Sequence, residues 1–146
     1  MYFIQADQVG DYFLGSWKVK RSITGFGEIS GDARFRVNQD DPDVLDFNEA
    51  MILPNSDKAN AFRSYQYRIQ KNGFDIFFSD GPDNGKLFLS FSFNKESTLT
   101  SHHLCIKDHY DARFQFNSEN NFVLSFSVVG PKKDYQIHST FHRDSF

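Results

Sequence analysis

The densest gathering of chemically able side chains is the segment "HHLCIKDHY" at 102–110, which holds His102, His103, Cys105, Asp108, His109 and Tyr110. Metal ligation and thiol nucleophilicity are the chemistries such residues suggest. Neighbours on a strand point to opposite faces, so only His103 and Cys105 converge, and a structural zinc site takes four ligands. Those two side chains stand roughly 7 Å apart along one strand face, too far for the short hydrogen bond that activates a thiolate. Cys105 is therefore expected as a small buried apolar residue. Asp108 is expected to cap a turn, unless a bulge at Lys107 turns it inward. His138 and His142 alternate with apolar residues and should face water, which leaves His103 as the candidate axial ligand for a haem. Neither a metal nor a cofactor is expected.

A second set of residues interrupts faces that are otherwise apolar. If Trp17 points inward, Val19, Arg21 and Ile23 share its face; Leu45, Phe47 and Met51 include Glu49; Tyr65, Tyr67 and Ile69 include Arg63. Tyr135 and Ser139 come from the last strand, Tyr110 precedes Ala112, Phe114 and Phe116, and His103 shares a face with Cys105. Arg21, Glu49, Arg63, Tyr65, Tyr67, His103, Tyr110 and Tyr135 thus form a candidate ligand-binding lining. Two inward arginines face one evident inward carboxylate, Glu49, so an additional anion would be electrostatically favoured. Lys132 and Lys133 lie in a turn near the same mouth, where they could steer an anion, although adjacent turn lysines are ordinarily solvated.

The expected function is binding of a small, partly apolar, anionic molecule inside a cavity. A self-satisfied internal network, with Glu49 neutralising Arg21 or Arg63, is the plainer alternative. An enzyme of isomerase, cyclase or lyase type would use His103 or Tyr110 with Glu49 as acid and base. A protein-interaction scaffold would instead have a filled interior and an outer apolar patch at Phe77 and Phe88.

The elements that must position these residues read as strands. Phenylalanine occurs 18 times against 8 leucines and 6 alanines, which favours pleated, half-buried structure over helix. Turn signals recur along the chain, among them "NQDDPD" at 38–43, "DGPDNG" at 80–85, "NKES" at 94–97 and "GPKK" at 130–133. Between them, strands are expected near 17–24, 28–37, 44–52, 61–70, 74–79, 86–93, 101–107, 110–116, 122–129 and 134–143, nine or ten depending on whether 101–116 is one bent strand. Asn72-Gly73 is the expected two-residue hairpin turn. A meander of this length closes to remove its edges, giving an all-β, antiparallel up-and-down barrel, with a helical turn in 8–16 plugging one end.

The 146 residues suit one domain, 1–146. Net charge is −3 with the signs interspersed, which argues against nucleic acid as a partner. No apolar run approaches the roughly 20 residues of a membrane-spanning helix. One cysteine and an N-terminus without a secretory pattern point to the cytosol, with a small molecule as the partner.

"LGSWKVKR" at 14–21 and the terminal arginine resemble the lipocalin-like, or calycin, barrels, in which a Gly-x-Trp on the first strand lies beneath an arginine from the last. The matching residues here are Gly15, Trp17 and Arg143. "FRSYQY" at 62–67, "HHLCIKDHYDARFQF" at 102–116 and "GPKKDYQIHSTFHR" at 130–143 extend the likeness to a lipocalin-like domain family of unknown function. The resemblance implies the barrel and its closure, and no particular substrate.

Overall fold

Alternation governs the chain from Gly15 onward, and each run of alternating residues becomes a strand. The computed structural model describes residues 2–95 and 97–143; Glu96, within the expected turn at 94–97, lies outside them. A 3-10 turn (Ala6–Gln8) and a short helix α1 (Val9–Phe13) precede β1 (Gly15–Ile23), β2 (Gly27–Val37), β3 (Val44–Ile52), β4 (Ala61–Gln70) and β5 (Gly73–Phe78). There follow β6 (Leu87–Ser92), β7 (Thr98–Cys105), β8 (Asp108–Ser118), β9 (Asn121–Gly130) and β10 (Lys133–Arg143). All ten belong to one antiparallel sheet in the order β6-β5-β4-β3-β2-β1-β10-β9-β8-β7. The expected all-β barrel is therefore present and nearly closed. Its hydrogen-bonded ladder is continuous through β1 and β10, and the break falls between β6 and β7.

The inner face is aromatic at the end covered by α1. Phe13 is fully buried, stacks on Phe35 at 4.9 Å between ring centroids, and meets Tyr67, Phe74, Phe114 and Phe122 edge-on. Apolar burial on this scale is the main source of stability in a fold with so little helix. Helix α1 lacks the length to be stable alone; its buried face of Val9, Tyr12 and Phe13 holds it in place.

Trp17 and Arg143 are cross-strand partners in the β1/β10 ladder. The guanidinium carbon sits 4.0 Å from the centroid of the Trp17 ring system, and Nη1 donates to the Leu14 carbonyl at 2.7 Å. Nη2 donates to the Tyr12 carbonyl, and Trp17 Nε1 donates to the Phe13 carbonyl at 2.9 Å. Gly15 has φ +113, where a side chain is strained, and a Cβ there would stand 3.4 Å from Arg143 Nη1.

One open expectation is resolved and two are corrected. The span 101–116 is two strands, β7 starting earlier at Thr98 and β8 running on to Ser118, joined by a tight turn with Ile106 at φ 59. The hairpin turn between β4 and β5 is Lys71-Asn72, since Gln70 pairs with Gly73. Gly73 is required by close approach: a Cβ there would lie 1.8 Å from the Phe91 carbonyl oxygen. In β6, Ile76 pairs with Leu89 while Phe77 pairs with Leu87, so Phe88 is the extra residue of a bulge. The bulge turns Phe88 into the barrel at 9% exposure and Leu87 outward at 48%, which removes Phe88 from the expected outer patch.

Replacing Trp17 by Ala is expected to lower unfolding free energy by about 3–5 kcal/mol, measured by chemical denaturation. A loss below about 1 kcal/mol would mean that the indole does not carry the packing assigned to it.

Candidate functional site

The inward polar residues lie at the end of the barrel opposite α1, in two levels. Arg21 on β1 and Glu49 on β3 form the deeper one. Arg21 Nη1 and Nη2 donate to Glu49 Oε2 and Oε1 at 2.7 and 2.8 Å, and Nε donates to Ser139 Oγ at 2.7 Å. Their side chains are 18% and 8% exposed. Burial works to lower the Arg21 pKa, but the hydrogen bonds and charge of Glu49 outweigh it and hold the pKa above its ordinary value. Such a fork-to-fork pair is neutral as a unit and has little capacity for another anion. Tyr67 lies beside it, stacked on Phe74 and buried, and burial raises its phenol pKa well above the ordinary value. Burial likewise raises Tyr65, which stacks on Phe88.

The outer level is looser. Arg63 stands over the Tyr65 ring, 5.9 Å from its centroid, and Nη1 is 3.6 Å from Asp80 Oδ1, with the arginine side chain 54% exposed. Asp80 Oδ2 accepts the Ser64 backbone N–H at 2.7 Å, while Oδ1 is buried and accepts no hydrogen bond. Lys133 lies 3.0 Å from Asp108 and donates to Tyr110 Oη at 3.3 Å; the Asp108 contact raises its pKa above the ordinary lysine value. His103 meets Phe88 edge-on at 5.2 Å.

These levels border two adjoining cavities. The inner, of about 190 Å³, is lined by Arg21, Glu49, Tyr67, Leu89, Leu124 and Ser139 among others. The outer, of about 370 Å³, takes in Asp80, His103, Cys105, Tyr110 and Tyr135. Arg63, Tyr65, Phe88, Phe126 and Ile137 border both. A shallower groove of about 670 Å³ lies outside the barrel across β7 to β10.

Every residue of the proposed lining thus borders one cavity or the other, but the charge count behind it changes. Asp80 answers Arg63 and Asp108 answers Lys133, so the surplus of inward positive charge does not exist. Asp80 was legible in principle, because it extends the alternation Phe74, Ile76, Phe78 by one step. Lys133 is ion-paired rather than simply solvated. Asp108 opens β8 as that partner and caps no turn. Cys105 is exposed, contrary to its expected burial, because it sits at the last position of β7 beside the mouth. The trio named for catalysis is divided: Glu49 is locked to Arg21 at the inner cavity, while His103 and Tyr110 border the outer one. His138 and His142 are exposed, as their positions on β10 imply.

Glu49→Gln should destabilise the protein by roughly 3 kcal/mol or more, because it strands the Arg21 charge, whereas the double change Arg21→Met with Glu49→Met should return stability close to the parent level. Thermal or urea unfolding reads both; an additive pair would deny the coupling. Tyr12, Tyr65 and Tyr67 all have raised pKa values, with burial the largest cause. A proton held more tightly by the folded state contributes stability below the ordinary tyrosine pKa of about 10, and that contribution is lost as pH rises beyond it. Ultraviolet titration at pH 11 should show fewer tyrosinates in the folded chain than in urea, and equal numbers would refute the burial assignment.

Among solved structures, the chain is similar to an S-type phycobiliprotein lyase from Guillardia theta, with TM-score 0.74, 12% identity, and 98% of this chain and 94% of that one covered. It is also similar to a de novo designed fluorescence-activating β-barrel, with TM-score 0.53, 14% identity, and 97% and 100% covered. A redesigned β-barrel matches with TM-score 0.55, 11% identity, and 94% and 96% covered. At these identities the likeness is one of fold. No curated protein matches in sequence. Residues 13–143, from the plug phenylalanine to the closing arginine, match the family of unknown function DUF6314, and the chain belongs to that family.

Proposed function

We propose that the chain is a single-domain binding barrel for a small, partly apolar molecule that enters at the end opposite α1 and carries one anionic group. The observation that carries this reading is the pair of adjoining cavities, walled by Phe47, Tyr65, Phe88 and Phe126 and polar only at the floor and rim. An apolar wall with a few convergent polar groups is the usual make-up of a small-molecule site. The similar folds of a phycobiliprotein lyase and a designed fluorescence-activating barrel are consistent with it.

Arg63 is the residue that meets the anionic group. The Arg63 side chain is 54% exposed and its contact with Asp80 is 3.6 Å, so a ligand carboxylate can meet the open side of the guanidinium while Asp80 keeps its buried oxygen against it. Asp80, Asp83 and Asp108 lie around the same rim, which disfavours a second negative charge and therefore a phosphate. Binding is preferred to catalysis because Glu49 is engaged with Arg21, away from His103 and Tyr110. It is preferred to a scaffold because the upper barrel is hollow and Phe88 faces inward.

Native mass spectrometry of the protein from its own host should show a retained small molecule. Titration with a fluorescent polyene fatty acid and with its methyl ester should show both binding, the acid more tightly. Arg63→Met should weaken the acid about tenfold or more and leave the ester unchanged, consistent with loss of a charge-assisted hydrogen bond. Equal loss for both would overturn the anionic assignment alone. Absence of any retained mass and of binding by either probe would overturn the binding reading.

A further inference from the structure

We propose that His102 and His109, on the outside of the barrel, form a two-histidine site for a divalent transition metal of the zinc or copper class, with Asp111 as the residue that orients His102. The β7/β8 register pairs His102 with Asp111 and Leu104 with His109, which puts His102, His109 and Asp111 on the same, outward face. His102 Nδ1 lies 2.6 Å from Asp111 Oδ1, and His102 Nε2 lies 3.3 Å from His109 Nδ1.

The chemistry follows from the protons. A carboxylate only accepts, so the Asp111 contact assigns the Nδ1 proton of His102 and leaves Nε2 with its lone pair directed at His109. When His109 carries its proton on Nε2, its Nδ1 lone pair points back, and two imidazole lone pairs face a common space. Two metal–nitrogen bonds of about 2.0–2.1 Å at a tetrahedral angle separate their nitrogens by about 3.3–3.4 Å. The observed 3.3 Å is that bite. The hydrogen bond from a ligating histidine to a carboxylate is the usual outer support of such a site, setting the tautomer and raising ligand basicity. Among the described residues no group of three or more His, Cys, Asp or Glu could hold a metal, so the remaining positions belong to water or to a group from outside the chain. The open groove bordered by His102 and Asp111 leaves room for them. Adjacent histidines on one strand face opposite sides, which hid this pair from the sequence; the partner of His102 comes from the next strand of the hairpin.

The test is zinc chloride added to the full chain, followed by imidazole nitrogen NMR and by calorimetry. His102 and His109 signals should move saturably with one equivalent of zinc while His138 and His142 stay still. His109→Gln should weaken zinc binding at least tenfold, and Asp111→Asn about tenfold, whereas Asp32→Asn, an exposed acid on β2, should leave it unchanged. The proposal falls if His138 or His142 responds as strongly as the pair, or if His109→Gln binds zinc as the parent does. In that case the 3.3 Å contact is an ordinary hydrogen bond between two imidazoles. All the substituted residues are exposed, so the folded state survives each change.

Discussion

The barrel depends on satisfying the carbonyls at the end of one short helix. The last turn of any helix leaves carbonyls without partners, and a helix that ends inside a barrel mouth cannot hand them all to water. Here three consecutive carbonyls are taken up by side chains from the sheet: Tyr12 and Leu14 by Arg143, and Phe13 by Trp17 Nε1. The guanidinium itself is half-buried, and burial lowers its pKa, so it needs those acceptors and the indole face beneath it. The attraction between the cation and the indole, roughly 0.5–2 kcal/mol, is smaller than the cost of leaving the groups unpaired. Helix, first strand and last strand are therefore held by mutual need, and Phe13 is delivered to the centre of the aromatic core as a consequence.

That plug decides where a cavity can exist. With Phe13, Phe35, Phe74, Phe114 and Phe122 filling one end, the two lumen cavities lie toward the other, where Arg21, Glu49 and Arg63 interrupt an apolar wall. Of the two arginine pairs, Arg21 with Glu49 at the floor is bidentate, and Arg63 with Asp80 at the rim is a 3.6 Å contact. Desolvation explains the difference: a charge at the floor must be fully paired to be tolerated, while one at the rim is partly hydrated and can exchange partners. The floor is a structural element of the site, and the rim is its adaptable part.

How much of this could be read from the residues alone depends on how local the cause is. Strand faces were legible wherever alternation held, as in Phe122, Leu124, Phe126 and Val128, and so was the meeting of Trp17 with Arg143, since both ends carry recognisable residues. What escaped was set by neighbours distant in sequence. Phe88 faces inward because of a bulge opposite Phe77, and no feature of "KLFLSFS" announces it. Gly73 reads as a turn residue, although its constraint comes from the Phe91 carbonyl on the next strand. The charge balance failed for the same reason. Asp80, two residues beyond β5, and Asp108, the first residue of β8, lie in or beside turns, where a carboxylate reads as turn chemistry until the fold brings it against Arg63 or Lys133.

The break in the ladder bears on how such a lumen is entered. Between β6 and β7 the sheet order has its two ends, and the Ser90 backbone N–H is met there by the Ser101 hydroxyl at 3.1 Å, in place of a carbonyl. Every other pair of neighbouring strands is joined by backbone hydrogen bonds, so widening the barrel elsewhere would break a ladder. At this seam it separates side-chain contacts, including the edge-on pair of Phe88 and His103. Those two residues also line the outer cavity, and the bulge that turns Phe88 inward lies on β6 itself. The weakest boundary of the sheet and the mouth of the cavity therefore coincide. The Trp17–Arg143 closure lies on the far side of the barrel from this seam, in the middle of the strand order, so the two do not depend on each other.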